Sequence, residues 1–149
     1  MRTKYNTPEE AELAFYDALE RADISTMKQV WSDDDSIVCI HPGSGRLEGR
    51  ADVVESFYQL FQNAPAMDFS ITDARCSIVN DMAIHMVREA IEIDGELISV
   101  LVSTNIYQRI NGGWKMTLHH ASPEPDEELD LDYDELDYTL ETEVPIVLH

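Results

Sequence analysis

Hydrophobic residues change period along this chain. Ala11, Ala14, Phe15, Ala18, Leu19 and Ala22 recur three and four residues apart, the spacing of one helix face. Thr7-Pro8-Glu9-Glu10 precedes them with an N-cap, a proline at the first helical position and the glutamate of a capping box. A short second helix is predicted from Ser25 as cap, through Met27 and Val30, to Trp31. Asp33-Asp34-Asp35 ends it, because carboxylates oppose the dipole at a helix C-terminus. Residues 36–41 read as a strand and Pro42-Gly43-Ser44-Gly45 as a turn. Residues 50–63 form a third helix, with Val53, Phe57, Leu60, Phe61 and Ala64 on one face and Pro65 as its stop.

Beyond residue 66 the pattern becomes extended. Runs at 67–79, 82–93, 96–110 and 114–121 are separated by Asn80-Asp81, Asp94-Gly95 and Asn111-Gly112-Gly113, all turn formers. They predict an antiparallel meander and, with the helices, an α+β domain whose helices cover one face of a curved sheet. In the last run, strict alternation places Trp114, Met116, Leu118 and His120 on one face and Lys115, Thr117 and His119 on the other. Apolar residues occupy both parities of 82–87 and 97–102, so both sheet faces are expected to be covered. A second copy of the sheet is the economical cover, giving a homodimer through the outer face.

Length and charge narrow the picture. The 149 residues suffice for one core-bearing domain, and no run approaches a membrane span. The first ten residues lack the apolar core of a signal peptide, so a cytoplasmic location is expected. Cys39 and Cys76 lie in apolar strand-like runs and are expected to pack as small hydrophobes. The net charge of -20 argues against nucleic acid as a partner. Residues 124–149 form a separate acidic tail after a domain at 1–123, with enough Leu and Tyr to dock as an added strand. Asp130, Asp132, Asp134 and Glu141 match four positions of a calcium loop. Glu135 stands where that loop needs glycine, so specific calcium binding is not expected.

The order helix, short helix, strand, helix, meander carries WSDDDSIVCIHPGSGRLEGRADVVESF early and TNIYQRINGGWKMTLHHASP late. Over residues 5–123 it resembles the SnoaL-like branch of the nuclear transport factor 2-like superfamily. Within that branch it is similar to bacterial proteins like the calcium/calmodulin-dependent kinase II association domain. The resemblance implies a cystatin-like cone, in which a bent sheet wraps about three helices around a pocket at its open end, and a dimer through the outer sheet face. The superfamily holds isomerases, dehydratases and cyclases beside non-enzymes, so chemistry must be argued from the site.

His41, at a strand end before a turn, and His120, sharing a face with Trp114 and Met116, are the candidate catalytic groups near neutral pH. Trp31, Tyr58, Asn105, Trp114 and Met116 are the candidate ligand contacts. Asn105 depends on the hairpin register: a two-residue turn at Asn111-Gly112 puts it, with Tyr107, on the face of Trp114. His119 is assigned to the dimer side. Glu89 and Glu92 fall on opposite strand faces and read as rim salt-bridge material. Adjacent strand histidines cannot chelate one ion, and no His-x-His or Glu-x-x-His occurs, so no metal or cofactor is expected. The expected function is a homodimeric domain whose pocket binds a small, largely apolar organic ligand, with proton transfer by histidine of an isomerase, dehydratase or cyclase kind. The alternative is a non-enzymatic association module acting through its dimer face and acidic tail.

Overall fold

The computed structural model describes residues 4–125. In chain order the elements are α1 Pro8–Arg21, α2 Ile24–Val30, β1 Val38–Ile40, β2 Arg46–Glu48, α3 Arg50–Asn63, β3 Asp68–Val79, β4 Met82–Ile93, β5 Glu96–Ile110 and β6 Gly113–Pro123. The six strands make one curved sheet in the order β2-β1-β6-β5-β4-β3, with β3 to β6 as the meander and β1 parallel to β6. The fold is the α+β, cystatin-like architecture that the pattern and the resemblance imply.

Helix starts follow from local chemistry. Thr7 Oγ1 accepts the Glu10 N–H at 3.1 Å while Glu10 accepts the Thr7 N–H at 3.1 Å, so the capping box forms as expected. For α2 the cap is Asp23 rather than Ser25, with its carboxylate accepting the Thr26 N–H at 3.1 Å. An ionised cap suits the positive end of the helix dipole, and Ala22 in the left-handed region closes α1 immediately before it. Gly49 caps α3 at φ 89, where a side chain would be strained.

Arg50, from the Leu-x-Gly-Arg element, reaches back to the end of α2. Its guanidinium donates to the carbonyls of Lys28 at 2.8 Å, Ser32 at 3.0 Å and Trp31 at 3.3 Å. These include carbonyls that a helix end leaves without partners, so one side chain ties α3 to α2. Strand β2 was not expected; three residues are too few to show a period, and pairing with β1 alone defines it.

The core lies between the helices and the inner sheet face. Phe15, Trp31 and Phe57 meet there with ring centroids 5.9 to 6.5 Å apart, and Trp31 pairs with Met116 across an isolated bridge. Each such aromatic pair adds about 0.5–1.5 kcal/mol beyond its buried area. Trp31 and Met116 are completely covered, and Trp114 is buried beside the Tyr5 backbone, which accepts its N–H at 2.8 Å. The outer face is different in kind: Met86 is 47% exposed and Val102 39%. No helix among the described residues is long and apolar enough to cross a membrane.

Three irregularities interrupt the pairing of the sheet. One lies between Thr72 and Arg75, with Asp73 at φ 52, one where Ile98 is an extra residue opposite Ile91 and Glu92, and one in β6 opposite Ile106 and Tyr107. There Leu118 pairs with Ile106 and Met116 with Tyr107, so Thr117 is an extra residue, a bulge. The hairpin turn itself is as expected. Asn111 at φ 53 and Gly112 at φ 80 give a two-residue type I′ turn closed by Ile110 and Gly113. The tail from residue 126, including the calcium-loop positions and the strand proposed for it, lies outside the described residues.

Candidate functional site

The bulge at Thr117 decides which histidine faces inward. Before it, Trp114 and Met116 point to the core; after it, His119 and Ala121 do. One inserted residue reverses parity downstream, so the assignment of His120 and His119 is corrected. His119 is 5% exposed and inside, whereas His120 is exposed on the outer face beside Met86, Arg88 and Val102.

Between α3 and the inner face of the sheet lies a cavity of about 520 Å³. Its apolar wall includes Phe57 and Leu60 from α3, Phe69 from β3 and Leu101 from β5. Three titratable groups line it: His41 after β1, Glu89 on β4 and His119 on β6. An apolar pocket with a few converging polar groups is the usual form of a small-molecule site.

Glu89, expected with Glu92 at a rim, is instead inside. It is 2% exposed, and Tyr16 on α1 donates a short hydrogen bond to its carboxylate. Burial pushes its pKa up, with the Glu12 charge adding to the shift and the Tyr16 hydrogen bond opposing it. The Tyr16 oxygen in turn accepts from Asn105 Nδ2 at 2.9 Å. Asn105 Oδ1 accepts the Nδ1–H of His119 at 2.5 Å. The Asn105 amide therefore has one side committed to each neighbour.

His119 is pushed down to about 3 by burial, with His41 and His120 adding like-charge repulsion, so its ring is neutral at pH 7. With Nδ1 carrying the only proton, its Nε2 is an acceptor. His41 is also depressed by burial. Ser56 Oγ gives its one hydrogen to the Val53 carbonyl at 2.6 Å, so the 2.9 Å contact from His41 Nε2 must be an N–H donated to Ser56. That leaves His41 Nδ1 as an acceptor. The pocket thus presents one carboxyl of raised pKa and two neutral imidazoles whose N–H groups are already used.

A second cluster continues the network away from the pocket. Glu12 Oε2 accepts from Tyr107 at 2.9 Å, His85 Nδ1 at 3.0 Å and Asn105 Nδ2 at 3.2 Å. The three hydrogen bonds and the charge of His85 hold the Glu12 carboxyl below its usual range, although burial, the largest single influence, pushes the other way. Buried Asn105 is therefore the hub joining Glu12, Tyr16 and His119, on the inner face that the two-residue turn predicts.

Of the other expected ligand contacts, Trp31, Trp114 and Met116 belong to the packed core and do not line this pocket. Tyr58 is 44% exposed, because its neighbour Phe57 occupies the inward position on α3. Asn105 lies behind the pocket wall and acts through Tyr16 and His119. His41 is where the strand end suggested. Cys39 packs in the core with its thiol pushed up to about 12 by burial, but Cys76 is exposed on edge strand β3, not packed. Among the described residues, the titratable groups of the pocket do not converge closely enough to hold one metal ion.

Comparisons with known proteins agree with this architecture. A SnoaL-like domain model matches residues 9–126. A structure from Thiobacillus denitrificans, named for a calcium/calmodulin-dependent protein kinase type II association domain, is 36% identical with a TM-score of 0.79. That match covers 83% of this chain and 99% of the other. A structure from Streptomyces avermitilis, described as a dehydratase of the nuclear transport factor 2-like family, is 34% identical with a TM-score of 0.71, covering 78% of this chain and 92% of the other. An F-box protein of Arabidopsis thaliana, SKIP8, is 27% identical over 108 residues, 72% of this chain; the match spans under half of that protein, 46%.

Proposed function

Because this chain belongs to the SnoaL-like family, in a fold whose chemistry is set by its pocket, we propose that it binds a small, largely apolar, hydroxyl-bearing molecule and transfers a proton on it through Glu89. The observation that carries this is the buried Glu89 carboxyl in the wall of an apolar cavity, held by Tyr16. Burial brings such a group toward working pH, where a carboxyl can both take and return a proton. The two acceptor nitrogens, His41 Nδ1 and His119 Nε2, favour a ligand hydroxyl as donor over a carbonyl needing one. Removal of a carbon-bound proton and protonation of the departing hydroxyl would make the reaction a dehydration, the class named for the Streptomyces structure. The proton-transfer role expected of His120 passes to Glu89.

The test uses a panel of apolar β-hydroxy ketones in D₂O, followed by proton NMR for alkene formation and loss of the α-proton signal. Turnover of one member by the wild-type chain should fall about 100-fold or more in Glu89→Gln. A ligand bound in the pocket and turned over equally by both would refute the assignment.

The proposal also includes a homodimer through the outer sheet face. Exposed Met82, Met86 and Val102 make that face unusually apolar for a free surface. This face equally supports the second reading, an association module, since the Thiobacillus structure bears the name of such a domain. A stable monomer at micromolar concentration in sedimentation would remove both the dimer and that reading.

A further inference from the structure

At the β3 edge of the sheet, far from the pocket in the hydrogen-bond chain, side chains from three elements converge. Glu9 comes from the first turn of α1, Cys76 from β3 and His85 from β4, and one ligating atom of each lies within 4.8 Å of the other two. Cys76 and His85 are directly paired across the two strands, so both side chains leave the sheet on the same face.

His85 makes this more than a chance grouping. Its ring is wholly buried, and its Nδ1 is committed to Glu12 at 3.0 Å. Its Nε2 makes no well-aligned hydrogen bond among the described residues and faces only Glu9 Oε2, 3.2 Å away, as an ion pair when the ring is protonated. A buried ring nitrogen so weakly held is open to a better partner. A histidine held by a carboxylate at one nitrogen, with the other turned toward further ligands, is the arrangement in which histidine binds a metal, since the carboxylate fixes tautomer and orientation. Glu12 is itself fixed by Tyr107 and Asn105.

We propose that Glu9, Cys76 and His85 bind one zinc ion, with water as the fourth ligand and Glu12 orienting His85. One oxygen, one sulfur and one nitrogen suit this borderline-soft ion, whose bonds of roughly 2.0–2.3 Å need only a small inward movement of the exposed Glu9 and Cys76 side chains. Zn²⁺ displaces the thiol proton of Cys76 and the Nε2 proton of the His85 imidazolium, both of which go to solvent, and takes the Nε2 lone pair so freed; Glu12 keeps the Nδ1–H. The thiolate and the Glu9 carboxylate balance the ion's charge. Bound there, zinc would pin the start of α1 to the sheet edge. The sequence carries no signal for it, because the three ligands are scattered over residues 9–85 with no motif spacing.

The experiment uses the full chain, stripped with a chelator and dialysed, then titrated with Zn²⁺ by calorimetry and with Co²⁺ by absorption. One equivalent should bind at micromolar concentration, with proton release and a near-ultraviolet thiolate-to-cobalt band. Cys76→Ser, at an exposed position that folding does not need, should abolish the band and weaken zinc at least tenfold. Glu12→Gln should weaken it about 10–100-fold while keeping a hydrogen bond to His85. Failure to bind one equivalent overturns the site. So does binding undiminished by Cys76→Ser, which would assign the ion to the acidic tail.

Discussion

The two faces of the sheet carry opposite exceptions: the inner face buries polar groups beside its apolar core, and the outer face leaves apolar side chains open. Toward the helices, Glu89, Asn105, His85 and His119 are all buried, yet all four are joined through Tyr16 and Glu12 into one hydrogen-bonded network with Asn105 at its centre. Toward the outside, Met82, Met86 and Val102 are open to solvent. Buried polar groups are costly unless every one is paired, and exposed apolar surface is costly unless something covers it. The inner face answers most of its cost within one chain, with His85 Nε2 a buried exception. The outer face leaves Met82, Met86 and Val102 uncovered within one chain.

Asn105→Leu should have the largest effect on stability. It leaves the His119 Nδ1–H without its acceptor and removes one donor each from Tyr16 and Glu12, a loss of about 2–3 kcal/mol measurable by urea unfolding. A loss under about 0.5 kcal/mol would mean the inner chain is not what holds that face.

Acid should separate the two inner groups next. The His119 imidazole takes a proton near pH 6.5 when unfolded but only at about pH 3 when folded. The unfolded chain therefore binds more protons across that window, and stability is lost as pH falls through it. Glu89 acts in the opposite sense, since its folded pKa is raised, and its contribution is lost as pH rises from the ordinary carboxylate range through the raised value. Unfolding free energy against pH should have a flatter acid limb in His119→Gln, whereas Glu89→Gln should lose less stability on the way up.

On the outer face, Met86→Lys should weaken dimerisation about tenfold or more, read by sedimentation equilibrium, with little change in the unfolding of each chain. Smallest of all, His120→Ala should change stability by less than about 0.5 kcal/mol, because the residue is exposed. Equal losses in His119→Ala and His120→Ala would erase the distinction between the faces.

Much of this was legible in the chain and some was not, for identifiable reasons. The meander could be read because each of its turns is marked by Asn or Asp, and α1 because Thr7 and Glu10 announce its start. Asn105 was legible through the hairpin register, since Asn111-Gly112 selects a two-residue turn. His119 was not, because nothing about Thr117 marks it as the extra residue that turns the strand over. Glu89 escaped for another reason: β4 carries apolar residues on both faces, so neither face declares itself, and a carboxylate defaults to the surface. Its signal lay on the helix, where Glu12 and Tyr16 stand four residues apart, one turn, and both prove to be inner-network residues.

The central claim is that Glu89 is a buried carboxyl of raised pKa in the wall of the pocket. A ¹³C NMR titration of glutamate side-chain carboxyls in the full chain, with Glu89→Gln to assign the resonance, measures this directly. The Glu89 midpoint should lie above the ordinary glutamate value. A midpoint at or below that value would contradict it.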